Sequence, residues 1–178
     1  MNCNKIASVD DVALPAVCRI YEQSFPIDER RDIPNLLELL SSQQDFSLYA
    51  ICDAHEVVGM LSSWMLDGWM YIEHFAIDEA MRGKGIGREV LRMFLCNSKL
   101  PVVLEVEPPT DLATRRRITF YRSEGFELHD SYRYIQPSYS EGRGTVELRL
   151  MTYCAPDDCN LDDLAHLLHR RVYGVCDV

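Results

Sequence analysis

The sequence predicts an α/β (α+β) fold, and three observations predict it. Short apolar runs bounded by turn residues read as strands. Segments with apolar residues every three or four positions read as helices. The two kinds interleave with short connections, as in a layer-packed domain. The 178 residues suit one domain spanning 1–178. A domain of that size buries roughly 70% of its unfolded surface and stands without disulfides or metal.

In chain order, Ile6–Val9 is a first strand candidate, and Asp10 or Asp11 could cap a helix striped by Val12, Ala16, Ile20 and Phe25. The loop Phe25–Asp32 follows, and a second helix starts near Pro34, a good first-turn residue. Phe46–Cys52 and Val57–Leu66 read as a hairpin turning at Asp53-Ala54-His55-Glu56. Asp67-Gly68 then turns into a strand over Trp69–Ile77. Later come a strand at Pro101–Glu107, stopped by Pro108-Pro109, and a helix at Leu112–Ser123. Gly125 supplies the left-handed residue that ends this helix. Strands are expected at Glu127–Tyr134 and Thr145–Tyr153, with the polar, aromatic loop Ile135–Gly144 between them. An amphipathic helix over 160–173 closes the chain and would pack on the domain, or on a partner such as a second copy in a homodimer.

The most informative stretch is Tyr71–Leu95, an apolar strand, a basic glycine-rich turn, Arg82-Gly83-Lys84-Gly85-Ile86-Gly87, and a helix. Glycine lets the backbone approach a ligand without a Cβ. The first N–H groups of the following helix lack intrahelical partners and favour an anion. The phosphate loop G-x-x-x-x-G-K-[ST] is absent, and Arg88 stands where the dinucleotide fingerprint needs its third glycine. A purely geometric turn is the plainer alternative. Arg82, Gly85 and Gly87 satisfy [Q/R]-x-x-G-x-[G/A], and Phe120-Tyr121-Arg122-Ser123-Glu124-Gly125-Phe126 forms a second motif downstream. On these two motifs the chain resembles the GNAT superfamily of acetyl-CoA-dependent N-acetyltransferases, from about Ile6 to Tyr153.

The resemblance implies a mixed, mostly antiparallel sheet splayed between its fourth and fifth strands and flanked by helices. It implies acetyl-CoA as co-substrate and a primary amine, of a small molecule or peptide, as acceptor. Arg82, Gly83, Lys84, Gly85, Ile86 and Gly87 would hold the pyrophosphate, while Phe75, Ala76 and Ile77 would line the pantetheine arm. Tyr121 would be the general acid and Glu73 the first choice of base. Strand alternation sends His74 to the face opposite Glu73. Glu105, Glu107 or a water remain open as bases. Many family members carry an asparagine where Thr114 stands and a small residue at Arg117. Arg115-Arg116-Arg117 reads as a solvated face or as a contact to the CoA 3′-phosphate. The loops Phe25–Asp32 and Ile135–Gly144 would wall the acceptor, and their mixed charge suits a zwitterionic molecule. A non-catalytic acyl-CoA binder, an aminoacyl-tRNA-directed relative and a plain interaction module are the rival readings.

Composition narrows the field. A formal net charge of −10 argues against nucleic acid or an anionic membrane as partner. An apolar content of 47% and a charged content of 26% are ordinary for a globular protein. Seven cysteines without C-x-x-C spacing point to a reducing, cytoplasmic setting. The histidines form no metal-ligand cluster, and His166 and His169, three apart, read as a solvated helix face before a zinc pair. Neither a signal peptide nor a membrane-length apolar run is visible.

Overall fold

A computed structural model describes residues 1–175, so Cys176 lies outside the described residues. They divide into two compact units, Met1–Trp64 with Ile72–Asn97, and Met65–Tyr71 with the chain from Ser98 onward.

In the first unit, strand β1 (Asn2–Lys5) pairs antiparallel with β2 (Phe46–Asp53). The sequence placed the first strand at Ile6–Val9. The pairing partner decides otherwise: Cys3 sits opposite Ile51, and Ile6 adds one more bond, N–H to the Leu48 carbonyl at 2.8 Å. Helix α1 (Leu14–Ser24) begins at Ala13, and Asp11 Oδ1 accepts from the Ala13 N–H at 2.9 Å. Helix α2 (Ile33–Ser42) carries proline in its first turn. Strand β2 turns into β3 (Glu56–Leu66) antiparallel, and Ala54 takes a positive φ of 52° in the turn. Strand β4 (Trp69–Ile77) lies beside β3. Helix α3 (Ile86–Asn97) buries Ile86, Val90, Leu91 and Leu95, the apolar stripe of its 3.6-residue period.

The second unit contains the first residues of β4, running parallel to β5 (Val102–Val106), with the Met70 N–H donating to Pro101 at 2.9 Å. Helix α4 (Leu112–Ser123) opens on a capping box between Asp111 and Thr114. The run expected as one strand, Glu127–Tyr134, is broken. It gives β6 (Glu127–Leu128), a turn closed by the Tyr132 N–H on the His129 carbonyl, and β7 (Tyr134–Gln136). Strand β8 (Val146–Tyr153) pairs antiparallel with β5, β6 and β7. Helix α5 (Leu161–Arg171) is capped by Asn160 and buries Leu164, Ala165 and Leu168. It is tied to its own unit by Arg171 on Asp67 at 2.9 Å and by His169 Nε2 with the Ile135 carbonyl at 3.0 Å. That contact, beside the Tyr134 ring, replaces the solvated face expected for His169. The α/β class and the mixed, mostly antiparallel sheet are as expected.

Candidate functional site

The glycine-rich turn is fastened from below. Ile86 and Val90 pack with Ile51 and Val58, with Phe75, Ile77 and Met81 against the cluster. These contacts fix the start of α3 at the end of β4. A 3-10 turn, Glu79–Met81, bridges the two and is capped by Asp78, whose Oδ1 accepts from the Ala80 N–H at 3.1 Å. Arg82 folds back, with Nε donating to the Ile77 carbonyl at 2.9 Å. Gly83 and Gly85 have φ of 79° and 82°, a conformation disfavoured for residues with a Cβ, and a Cβ on either would meet nothing within 4 Å. The turn is therefore an exposed cradle of main chain at a helix start, and residues 82–85 are all exposed. An anion fits it on charge and on space.

On β4, Ala76 is buried, while Phe75 and Ile77 are half-buried against the Ile86–Val90 cluster. Gly59 lets β3 approach this segment closely: a Cβ there would sit 2.6 Å from the Ala76 carbonyl oxygen.

Glu73 is the centre of a buried polar network. Its side chain is 0% exposed and pairs with Arg31, whose side chain is 7% exposed. Glu73 Oε2 accepts from Trp64 Nε1 at 2.9 Å. The Arg31 guanidinium lies 5.7 Å from the Trp64 ring centroid, and its backbone N–H donates to the Tyr21 hydroxyl at 2.8 Å. His74 joins Ser62 Oγ through Nδ1 at 3.1 Å and the Glu29 carbonyl through Nε2 at 3.0 Å. Glu73 and His74, expected on opposite faces, approach to 3.7 Å at their tips. Alternation sets where Cβ leaves the strand, and these longer side chains turn towards neighbouring partners on β3. Burial alone would push the Glu73 carboxyl up, but the Arg31 guanidinium, with His74 and Trp64, outweighs it and holds the group well below the usual carboxylate range.

Arg30 is also turned inward, with Nε donating to the Phe25 carbonyl at 3.2 Å and a salt bridge to Glu22 at 3.7 Å. Both arginines of the Phe25–Asp32 loop are thus engaged within the protein.

Tyr121 lies on α4, 7% exposed, between the Phe120 and Phe126 rings. Burial raises its pKa to about 12, with nearby Arg117 opposing, so it is a protonated phenol at neutral pH. Gly125 has φ 93°, and the Phe126 N–H returns to the Tyr121 carbonyl at 3.1 Å, which ends the helix as expected. Thr114 is accounted for by the capping box. All three arginines are exposed, and two also make local contacts: Arg115 Nε bonds the Pro109 carbonyl at 3.0 Å and Arg117 pairs with Glu107. Glu105 accepts from Tyr173. Among the described residues no group of three or more His, Cys, Asp or Glu is placed to hold a metal.

Trp64 and Tyr21 are not among the site residues expected from the sequence, and Arg31 stands there only as a loop charge, its pairing with Glu73 unseen. The available signal was Trp64 in a strand that reads as largely buried, since a buried indole N–H requires an acceptor.

The sequence matches the Acetyltransferase (GNAT) family over residues 14–126, which include the glycine-rich turn and Tyr121. The chain belongs to the GNAT acetyltransferase family. Among solved structures, this GNAT protein is similar to one from Bacteroides thetaiotaomicron assigned to the same family, with 32% identity, a TM-score of 0.92, and coverage of 99% of this chain and 100% of that one. A GNAT family acetyltransferase from Elizabethkingia anophelis with acetyl-CoA bound shares the fold at 14% identity and TM-score 0.59, over 85% and 96% of the two chains. A ribosomal-protein-alanine N-acetyltransferase from Brucella melitensis does so at 20% and 0.62, over 85% and 98%. No curated protein matches the sequence. The family and fold are those of enzymes that transfer acetyl groups.

Proposed function

We propose that this GNAT protein transfers an acetyl group from acetyl-CoA to a primary amine of a small molecule or a peptide. The observation that carries the reading is the Arg82–Gly87 turn, exposed over residues 82–85, with two glycines at positive φ opening a helix of twelve residues. Gly83–Gly87 would take the pyrophosphate on main-chain N–H groups, with Arg82 and Lys84 adding charge, and the main chain of Phe75, Ala76 and Ile77 would run along the pantetheine arm. Acetyl-CoA supplies the activated thioester. The amine must attack as the free base. For a lysine-like amine of pKa ~10.4, deprotonation at pH 7 costs about 4.6 kcal/mol. Desolvation or a base lowers that cost. Tyr121, protonated at neutral pH, is the acid proposed for the departing sulfur. Six free cysteines among the described residues agree with a reducing compartment such as the cytoplasm.

The test is thermal unfolding with acetyl-CoA against a free adenine nucleotide, followed by an amine screen reading thiol release. Saturation at ~100 times Kd adds about 2.7 kcal/mol, a rise of roughly 5–11 °C for a domain of this size. Absence of a shift at millimolar acetyl-CoA refutes the reading. A shift without turnover on any amine leaves an acyl-CoA-binding protein.

A further inference from the structure

Beyond the Phe25 ring, the Phe25–Asp32 loop has little apolar purchase of its own. Pro26 and Ile27 are exposed, Ile27 at 58%. Polar attachments hold it, and they converge on Arg31. Its guanidinium reaches Glu73 and covers Trp64, and its N–H reaches Tyr21. Two residues earlier, the Glu29 carbonyl meets His74, the neighbour of Glu73 on β4. The Tyr21 and Phe25 rings pack on His74 at 4.8 and 4.6 Å.

We infer that Glu73 is a positioning residue: through its buried pair with Arg31 it clamps the Phe25–Asp32 loop in one conformation, as a wall of the acceptor site. Both carboxylate oxygens are already engaged, Oε1 by Arg31 and Oε2 by Trp64. A base must offer a lone pair to substrate and bind the proton it removes. A buried carboxylate held ionised by a guanidinium does neither well. It does hold a cation firmly, because removing one partner leaves the other charged and buried. Loss of either residue should therefore release the same loop. That the loop walls an acceptor site rests on the acetyltransferase reading; the clamp does not.

The test is hydrogen exchange by mass spectrometry on the full chain, comparing wild type with Glu73→Gln, Arg31→Gln and the double variant. Amides of residues 27–32 should exchange at least tenfold faster in each single variant, and no faster again in the double. The acetyl-CoA thermal shift should stay as in wild type. With an amine from the screen, KM for the amine should rise about tenfold while the acid limb of the kcat pH profile stays in place. Unchanged loop exchange in Glu73→Gln, with kcat down a hundredfold and the acid limb lost, would overturn the inference and make Glu73 the base. Should the amide variants fail to fold, Glu73→Asp and Arg31→Lys keep the charges with altered reach. Faster loop exchange in them supports the clamp, and wild-type exchange overturns it. If wild type neither binds acetyl-CoA nor turns over an amine, the acceptor role falls and the exchange comparison still decides the clamp.

Discussion

The Tyr173 hydroxyl donates to Oε2 of Glu105 at 2.9 Å, joining the residue two places beyond α5 to the middle of β5. The same hydroxyl lies 3.3 Å from that of Tyr71 and 3.5 Å from that of Tyr139. One phenol thus gathers β4, β5 and the loop after β7 under the end of α5. A hydrogen bond to a charged group contributes about 1.5–3 kcal/mol. Tyr173→Phe should lower unfolding free energy by that amount in urea titrations, and α5 should lose exchange protection first. Equal stability with unchanged α5 protection would mean that the contact contributes nothing.

Gly59 and Gly85 are glycines for different reasons, and alanine at each should fail differently. At Gly59 a Cβ would meet the Ala76 carbonyl oxygen at 2.6 Å and Ile77 Cδ1 at 2.8 Å. Overpacking of this kind costs typically about 1–3 kcal/mol and displaces the strand proposed to line the pantetheine. At Gly85 the space is open and only the φ of 82° is strained, at about 1–2 kcal/mol. Both variants should weaken acetyl-CoA binding in calorimetry. Only Gly59→Ala should perturb exchange along β3 and β4.

Acid should act on the Arg31–Glu73 pair. The Glu73 carboxyl is held below its unfolded value of about 4.3. Folding then binds its proton less tightly than the unfolded chain does. Its contribution is full above about pH 4.3 and drains away as pH falls towards the folded value. Glu73→Gln should be less stable than wild type by about 3–5 kcal/mol at pH 7. It should also lose less on acidification from pH 5 to 3. Parallel urea midpoint curves for the two proteins over that range would contradict this.

Tyr121→Phe keeps the ring packing with Phe120 and Phe126 and deletes the hydroxyl. A positioned general acid contributes typically about 100- to 10,000-fold. The variant should keep the wild-type melting temperature and acetyl-CoA shift while kcat drops by at least about 100-fold. Full turnover would remove Tyr121 from the chemistry and leave it a packing residue.

Strand β4 (Trp69–Ile77) and helix α4 (Leu112–Ser123) end in the structure where the residues alone place them. Their signals are local: Asp67-Gly68 before β4, Pro108-Pro109 closing the strand before α4, and Gly125 as the residue type at ease with φ 93°. The glycine-rich turn into α3 was legible for the same reason, since glycine spacing and a helix start are properties of six consecutive residues. The edge strand β1 was not, because four residues with little apolar pattern become a strand only when β2 offers its ladder. Nor was the break between β6 and β7, where the turn at His129–Tyr132 interrupts a run whose composition suits a strand. The surroundings of Glu73 were furthest out of reach. Arg31 stands 42 positions earlier and carries no periodic signature. In sequence it is one of several loop charges. Tertiary structure alone buries it on β4, where the cost of desolvating a charge leaves the guanidinium no stable state except against a carboxylate.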